Sequence, residues 1–187
     1  MILNDFLQHH STKTLYMPKP DLSKIPTFFH RYVNLVKEED IPTALANNLS
    51  EAVALLTDIP DEQWDFRYAE GKWSIKEMVQ HMIDAERIFA YRALCIARGE
   101  KQSLPSFEEN DYAAASNADK RTKSALLDEF TVVRVSTEAL YRSLDEAQLN
   151  QMGVANNNPI TAAGIGFITV GHVMHHLNVL RERYLNK

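Results

Sequence analysis

The chain has 187 residues, 45% of them hydrophobic and 24% charged, with a formal net charge of −5; this fits one soluble domain with a sizeable core. The acidic balance and the lack of any lysine/arginine run exclude a general nucleic-acid binder, which needs a basic stripe. No apolar stretch approaches the roughly 20 residues of a membrane span. The single cysteine, Cys95, rules out an intramolecular disulfide. The opening residues MILNDFLQHHSTK lack the basic and apolar regions of a signal peptide, so a cytoplasmic protein is expected.

In chain order, residues 1–26, with Pro18, Pro20 and Pro26, predict an extended N-terminal arm, and residues 27–187 the folded domain. The segment 27–37 (TFFHRYVNLVK) is compatible with a short extra helix. The first long helix is expected over 41–58, where Leu45, Leu49, Ala52, Leu56 and Ile59 recur at helical spacing. Asp40 caps it, Pro42 fits its first turn and Pro60 ends it. The second opens with Ser74-Ile75-Lys76-Glu77, a capping box, and runs to a stop at Gly99. The stretch from Glu100 to Asp119, containing LPSFEENDY, is long enough for a crossover, with Phe107 and Tyr112 as anchors and room for a short helical turn. The third helix is expected over 120–144 and the fourth over 160–185. Few alternating β-branched runs exist to build a sheet. The expected fold class is therefore all-α, a four-helix bundle with a long connection between helices two and three and an extended arm.

Three histidines carry the chemistry. His172 and His176 are four residues apart, so on a helix they lie on one face and can reach one metal ion. Counting 100° per residue, His81 shares a mostly apolar stripe of its helix with Met78, Ala85, Ile88 and Cys95, and His172 shares one with Ile165, Thr169 and Val179. Three inward imidazoles from facing helices would form an open facial site. The glutamate of an HEXXH motif is missing, because Val173, Met174 and His175 fill the interval, so this is not a zincin. His175 flanks the inward face as a supporting or alternative group. His9, His10 and His30 are expected at the surface. Asp84 is a candidate acceptor or base beside the metal, or a surface partner of Arg87; Glu86 points more nearly away. Cys95 lies about 21 Å along the helix from His81, too far to share the ion, and is expected to be a small buried apolar residue. Arg92 and Arg183 fall on inward faces, where either is a candidate substrate-binding residue for an anion, with a bundle-end salt bridge the preferred reading. Trp73 and Tyr91 are expected to pack, Trp73 closing the bundle end. A second apolar stripe on helix four (Phe167, Val170, Met174, Leu177, Tyr184, Leu185) calls for cover by the arm or, preferably, a second subunit, hence a homodimer.

The segments YAEGKWSIKEMVQHMIDAERIFAYRALCIARGE, LPSFEENDY and GHVMHHLNVLRERYL together resemble the DinB-like superfamily. That metal-binding four-helix group includes bacillithiol transferases and mycothiol-dependent maleylpyruvate isomerases, and is distinct from the polymerase of the same name. The resemblance runs from about Ile41 to Tyr184. It implies a divalent metal, nickel or zinc, on His81, His172 and His176, and a homodimer. An ion on three neutral imidazoles keeps its charge and acidifies a bound thiol or water. The leading expectation is therefore transfer of a low-molecular-weight thiol to an electrophile, in detoxification or stress response. Metal-dependent hydrolysis of an amide or ester, or non-catalytic metal binding, is the alternative.

Overall fold

Residues 19–185 are described by a computed structural model; most of the expected arm, with His9 and His10, lies outside the described residues. A short helix α1 (Thr27–Val33) precedes the first bundle helix, α2 (Ile41–Asp58). Asp40 caps α2 by accepting from the Thr43 amide at 3.0 Å. The second bundle helix, α3 (Ile75–Ala97), starts at the expected capping box: Ser74 Oγ accepts from the Glu77 amide, and Glu77 Oε2 from the Ser74 amide at 2.6 Å. It stops where Gly99 takes φ +84°, a conformation that costs glycine nothing.

The long connection carries a two-turn helix, α4 (Glu109–Ala115), and leads to α5 (Lys123–Arg142), capped by Thr122. It returns the chain to the starting end, so α5 runs parallel to α3: Arg121 meets Gln80, Arg87 meets Glu129 and Arg134 meets Glu86. Phe107 packs against the core as expected, whereas Tyr112 is exposed and touches only the Phe107 ring among the aromatics. A one-turn helix, α6 (Glu146–Leu149), precedes α7 (Ala162–Val179). In the bundle α3 lies beside α5 and α7, and α2 lies on the far side of the same two helices. Helices α3 and α7 are therefore direct neighbours, which the histidine site requires.

Two features depart from the sequence expectation around α7. Ile160 belongs not to that helix but to an antiparallel hairpin, β1 (Met152–Ala155) with β2 (Asn158–Thr161), paired Met152 to Thr161 through Ala155 to Asn158. Its turn residues Asn156 and Asn157 both have positive φ, 50° and 58°, as a type I′ hairpin demands. At the other end, Leu180–Leu185 winds as a π-helix. The wider turn breaks the 100° count, so Leu180 and Tyr184 face inward and Arg183 is exposed. Arg183 is thereby removed as a candidate for the interior.

The second apolar stripe of α7 is buried within the chain. Phe167, Val170, Leu177 and Tyr184 are all 2% exposed or less, because α1 and α2 both lie against α7. The approach of α1 is close: a Cβ on Gly171 would overlap the Tyr32 carbonyl. Met174 and Leu185 are half-buried, so the chain itself covers most of the stripe. Tyr91, expected to pack, is 58% exposed. His30, expected at the surface, is half-buried, with Nε2 3.0 Å and 2.9 Å from the carbonyls of Leu22 and Ile25, which ties the preceding segment to α1. Among the described residues no helix is long and apolar enough to cross a membrane.

Candidate metal centre

The bundle core divides into two apolar clusters whose α7 members end at Val170 and resume at Val173. His172 sits at that seam, with His176 one turn further on. From α3, His81 meets them: its Nε2 lies 3.0 Å from His172 Nε2, which in turn lies 3.1 Å from His176 Nε2. The ligand atoms of all three lie within 4.8 Å of one another. A single ring nitrogen cannot both donate and accept, so mutual hydrogen bonds do not account for three nitrogens converging on one point. Two ligands about 2.1 Å from one ion at near right angles would be about 3.0 Å apart, the spacing observed. The donors also suit a borderline divalent ion.

Electrostatics agree with that fit. Burial holds His81 neutral, lowering its pKa to about 4. His172 and His176 are pushed well below the ordinary imidazole value, first by burial, then by His176 and His81 for His172 and by His81 and His175 for His176. Neutral imidazoles are the form that ligates. Ring packing sets their orientation. Trp73 lies 4.7 Å from the His81 ring, and Tyr32 and Phe89 each stand edge-on to His172 at 5.6 Å. The other nitrogen of His176, Nδ1, is buried with no hydrogen-bond partner among the described residues, which supply there no carboxylate or carbonyl of the kind that usually steadies a ligating imidazole.

The three rings open into a cavity of about 440 Å³ walled by aromatic side chains, among them Phe29, Tyr32, Trp73, Phe89 and Phe107. His175 also lines it, with its ring 5.5 Å from Tyr32 and 5.1 Å from His176; its Nε2 and Nδ1 are not among the converging atoms. Arg92 lines the cavity, and among the described residues it forms no bundle-end salt bridge. Asp84 does not. Its carboxylate accepts from Gln80 Nε2 at 2.9 Å and lies 3.9 Å from Arg87, so the surface alternative holds and its supporting role at the histidines is withdrawn. Cys95 is half-buried against the apolar core.

Sequence reasoning missed the aromatic walls. Trp73 forms a wall and not simply a bundle-end plug, because Tyr184 Oη donates to its carbonyl at 2.7 Å and fixes it over His81. Phe89 is eight residues past His81, about 80° off its face, and so inside the wide inward stripe that a helical count already outlines. Tyr32 gave a weaker signal, the aromatic cluster in TFFHRY of a short helix.

A family model described as the DinB superfamily matches residues 44–180, a span that contains all three histidines. A protein of Oceanobacillus iheyensis, named as a candidate metal-dependent hydrolase, is 30% identical over 134 residues, 70% of this chain and 74% of its own. Among solved structures, YfiT from Bacillus subtilis superposes with a TM-score of 0.65 at 18% identity, covering 88% of this chain and 91% of that one. YfiT is described as a candidate metal-dependent hydrolase with an unusual four-helix bundle topology. A mycothiol-dependent maleylpyruvate isomerase superposes with a TM-score of 0.62 at 13% identity over 73% of this chain, which spans only 58% of that enzyme. At those identities the structural matches establish the shared fold. The family model and the O. iheyensis relative show that this chain belongs to the DinB superfamily, with the four-helix-bundle fold of the solved structures.

Proposed function

We propose that His81, His172 and His176 hold one nickel or zinc ion, and that this chain transfers a low-molecular-weight thiol to a small electrophile. When bound, the ion supplies Lewis acidity that ionises a thiol or a water. The protein's own residues do the rest. The three imidazoles, neutral and buried, leave the ion's charge undiminished, while Trp73, Tyr32 and Phe89 exclude bulk water and hold an apolar substrate body against it.

The observation that carries the reading is that no carboxylate stands beside the triad. Among the described residues the cavity's one acidic lining group is Glu109, which is exposed. Hydrolysis on an ionised water still draws on a positioned carboxyl to carry the proton to the leaving amine or alcohol, whereas an ionised thiol attacking an electrophile needs no such group. Hydrolysis of an amide or ester remains the second reading, favoured by the name of the O. iheyensis relative.

The test is turnover by untagged, metal-loaded protein. One panel pairs small thiols with electrophiles; the other holds esters and amides. Thiol-dependent conjugation that disappears with EDTA supports the first reading. Thiol-independent ester or amide cleavage would replace it with the second, and no turnover in either panel by fully loaded protein would make the chain a metal-binding protein without catalysis.

A further inference from the structure

One wall of the cavity carries a positive charge that no acid answers. Arg92 is only 7% exposed and lines the cavity. Its Nη2 donates to the Pro105 carbonyl at 2.6 Å, and its Cζ lies 5.9 Å from the Phe107 ring centre; among the described residues it has no carboxylate partner. A guanidinium has five N–H donors in a planar fork, so one carbonyl leaves most of them unanswered.

The contrast with Arg134 is direct. That side chain is fully buried, and its Nε and Nη2 form a fork on the Glu86 carboxylate at 2.8 Å and 2.9 Å, while Nη1 reaches Leu45 O and Asn48 Oδ1. Arg134 is complete as a structural residue and Arg92 is not. A buried cation without a counter-charge is costly, and the group that would relieve it must come from outside the described residues.

The surroundings narrow what that group is. Phe89, Phe107, Ile165 and Ile168 line the same cavity. A second cation, Arg31, stacks on Phe28 and Tyr32 at 4.5 Å and 4.7 Å and is exposed, like Glu109, whereas Arg92 is the buried charge of the lining. Arg92 is eleven residues past His81 on α3, about 16 Å between backbones along the axis, a gap that the two side chains shorten, so a ligand touching both is longer than a bare carboxylate group.

We propose that Arg92 is the anion receptor of this cavity and that the substrate is an elongated carboxylate. Its charged end sits on the Arg92 fork, its apolar body against Phe89 and Phe107, and its reacting end at the triad. Only the placement of the reacting end rests on the metal-centre reading; the Arg92 contact stands without it.

The experiment compares 4-phenylbutyrate with its neutral amide on the EDTA-treated chain, so that a metal cannot capture the carboxylate. Binding is followed by NMR at the Trp73 indole N–H, with buried Trp64, which does not line the cavity, as internal reference. The carboxylate is expected to bind at least about tenfold more tightly than the amide. Arg92→Met abolishes that preference while metal uptake stays at the wild-type level, and Arg92→Lys keeps part of it. Equal binding of acid and amide to the wild-type chain overturns the proposal without recourse to a variant, as does a preference that survives in folded Arg92→Met. A chain that prefers the carboxylate but takes up no metal upholds the Arg92 assignment and removes the metal reading alone.

Discussion

Tyr184 Oη donates to the carbonyl of Trp73 at 2.7 Å, linking the π-helical end of α7 to the residue just before the capping box of α3. Through this bond the C-terminal turn holds the indole 4.7 Å from His81. Removing it with Tyr184→Phe is expected to cost about 1 kcal/mol, measured by urea unfolding, and to broaden the Trp73 indole resonance.

The same phenol gives an alkaline signature. Burial, aided by neighbouring Tyr68, pushes Tyr184 up to about 12. The unfolded phenol ionises near 10, so between those values the unfolded chain has lost a proton that the folded chain retains. Stability is therefore intact below pH about 10 and declines towards 12. Tyr184→Phe should lose less stability over that interval than the wild type; an equal loss would contradict the assignment.

At the acid side the histidines act with the same sign rule and a different window. His81 is held near 4 against an ordinary value of 6.5, and His172 and His176 are shifted the same way. Between these limits the unfolded chain binds more protons, so the metal-free chain is fully stable above about pH 6.5 and weakens as pH falls towards 4. Urea unfolding of EDTA-treated protein at pH 7, 6 and 5 checks this, and His81→Gln should show a shallower slope. A flat profile in the wild type would be inconsistent with three buried neutral imidazoles.

The sequence revealed these parts unequally, for physical reasons. Helices α2 and α3 were legible because their caps are local: Asp40 with Thr43, and Ser74 with Glu77, satisfy backbone donors three residues away. The triad was legible because His172 and His176 are one turn apart and His81 falls on an apolar stripe. The hairpin was not, since strands of four residues show little alternation and Gly153 is placed there by Ile96 of α3, against which a side chain would clash. Arg183 was misplaced because a π-turn does not advance by 100°. The Glu86–Arg134 pair could not be read at all: its partners are 48 residues apart and meet only because α5 returns parallel to α3.

That pair makes its own prediction. Both side chains are essentially inaccessible, 2% and 0% exposed, so removing one partner leaves an uncompensated buried charge. Glu86→Leu or Arg134→Met is expected to destabilise by about 3–5 kcal/mol, and the Glu86→Leu/Arg134→Met double variant by much less. Chemical unfolding of the four proteins decides it; additive losses in the double variant would show that the pair is not coupled.

Gly171 is where α1 is fastened to α7. Gly171→Ala would drive a methyl into the Tyr32 carbonyl, and Tyr32 in turn steadies His172 and His175. A loss of about 1–3 kcal/mol is expected, with weaker metal retention during dialysis. An unchanged melting temperature and unchanged retention would mean that α1 does not support the site.

The central claim is that one divalent ion is held by residues from two neighbouring helices. Its most direct measurement is elemental analysis of untagged protein, wild type alongside His81→Ala, His172→Ala and His176→Ala, each verified as folded. Close to one nickel or zinc per chain is expected in the wild type, on the three converging imidazoles, and a large loss in every variant. Full metal occupancy in a folded His81→Ala/His172→Ala double variant, or a wild-type chain that takes up none, would contradict it.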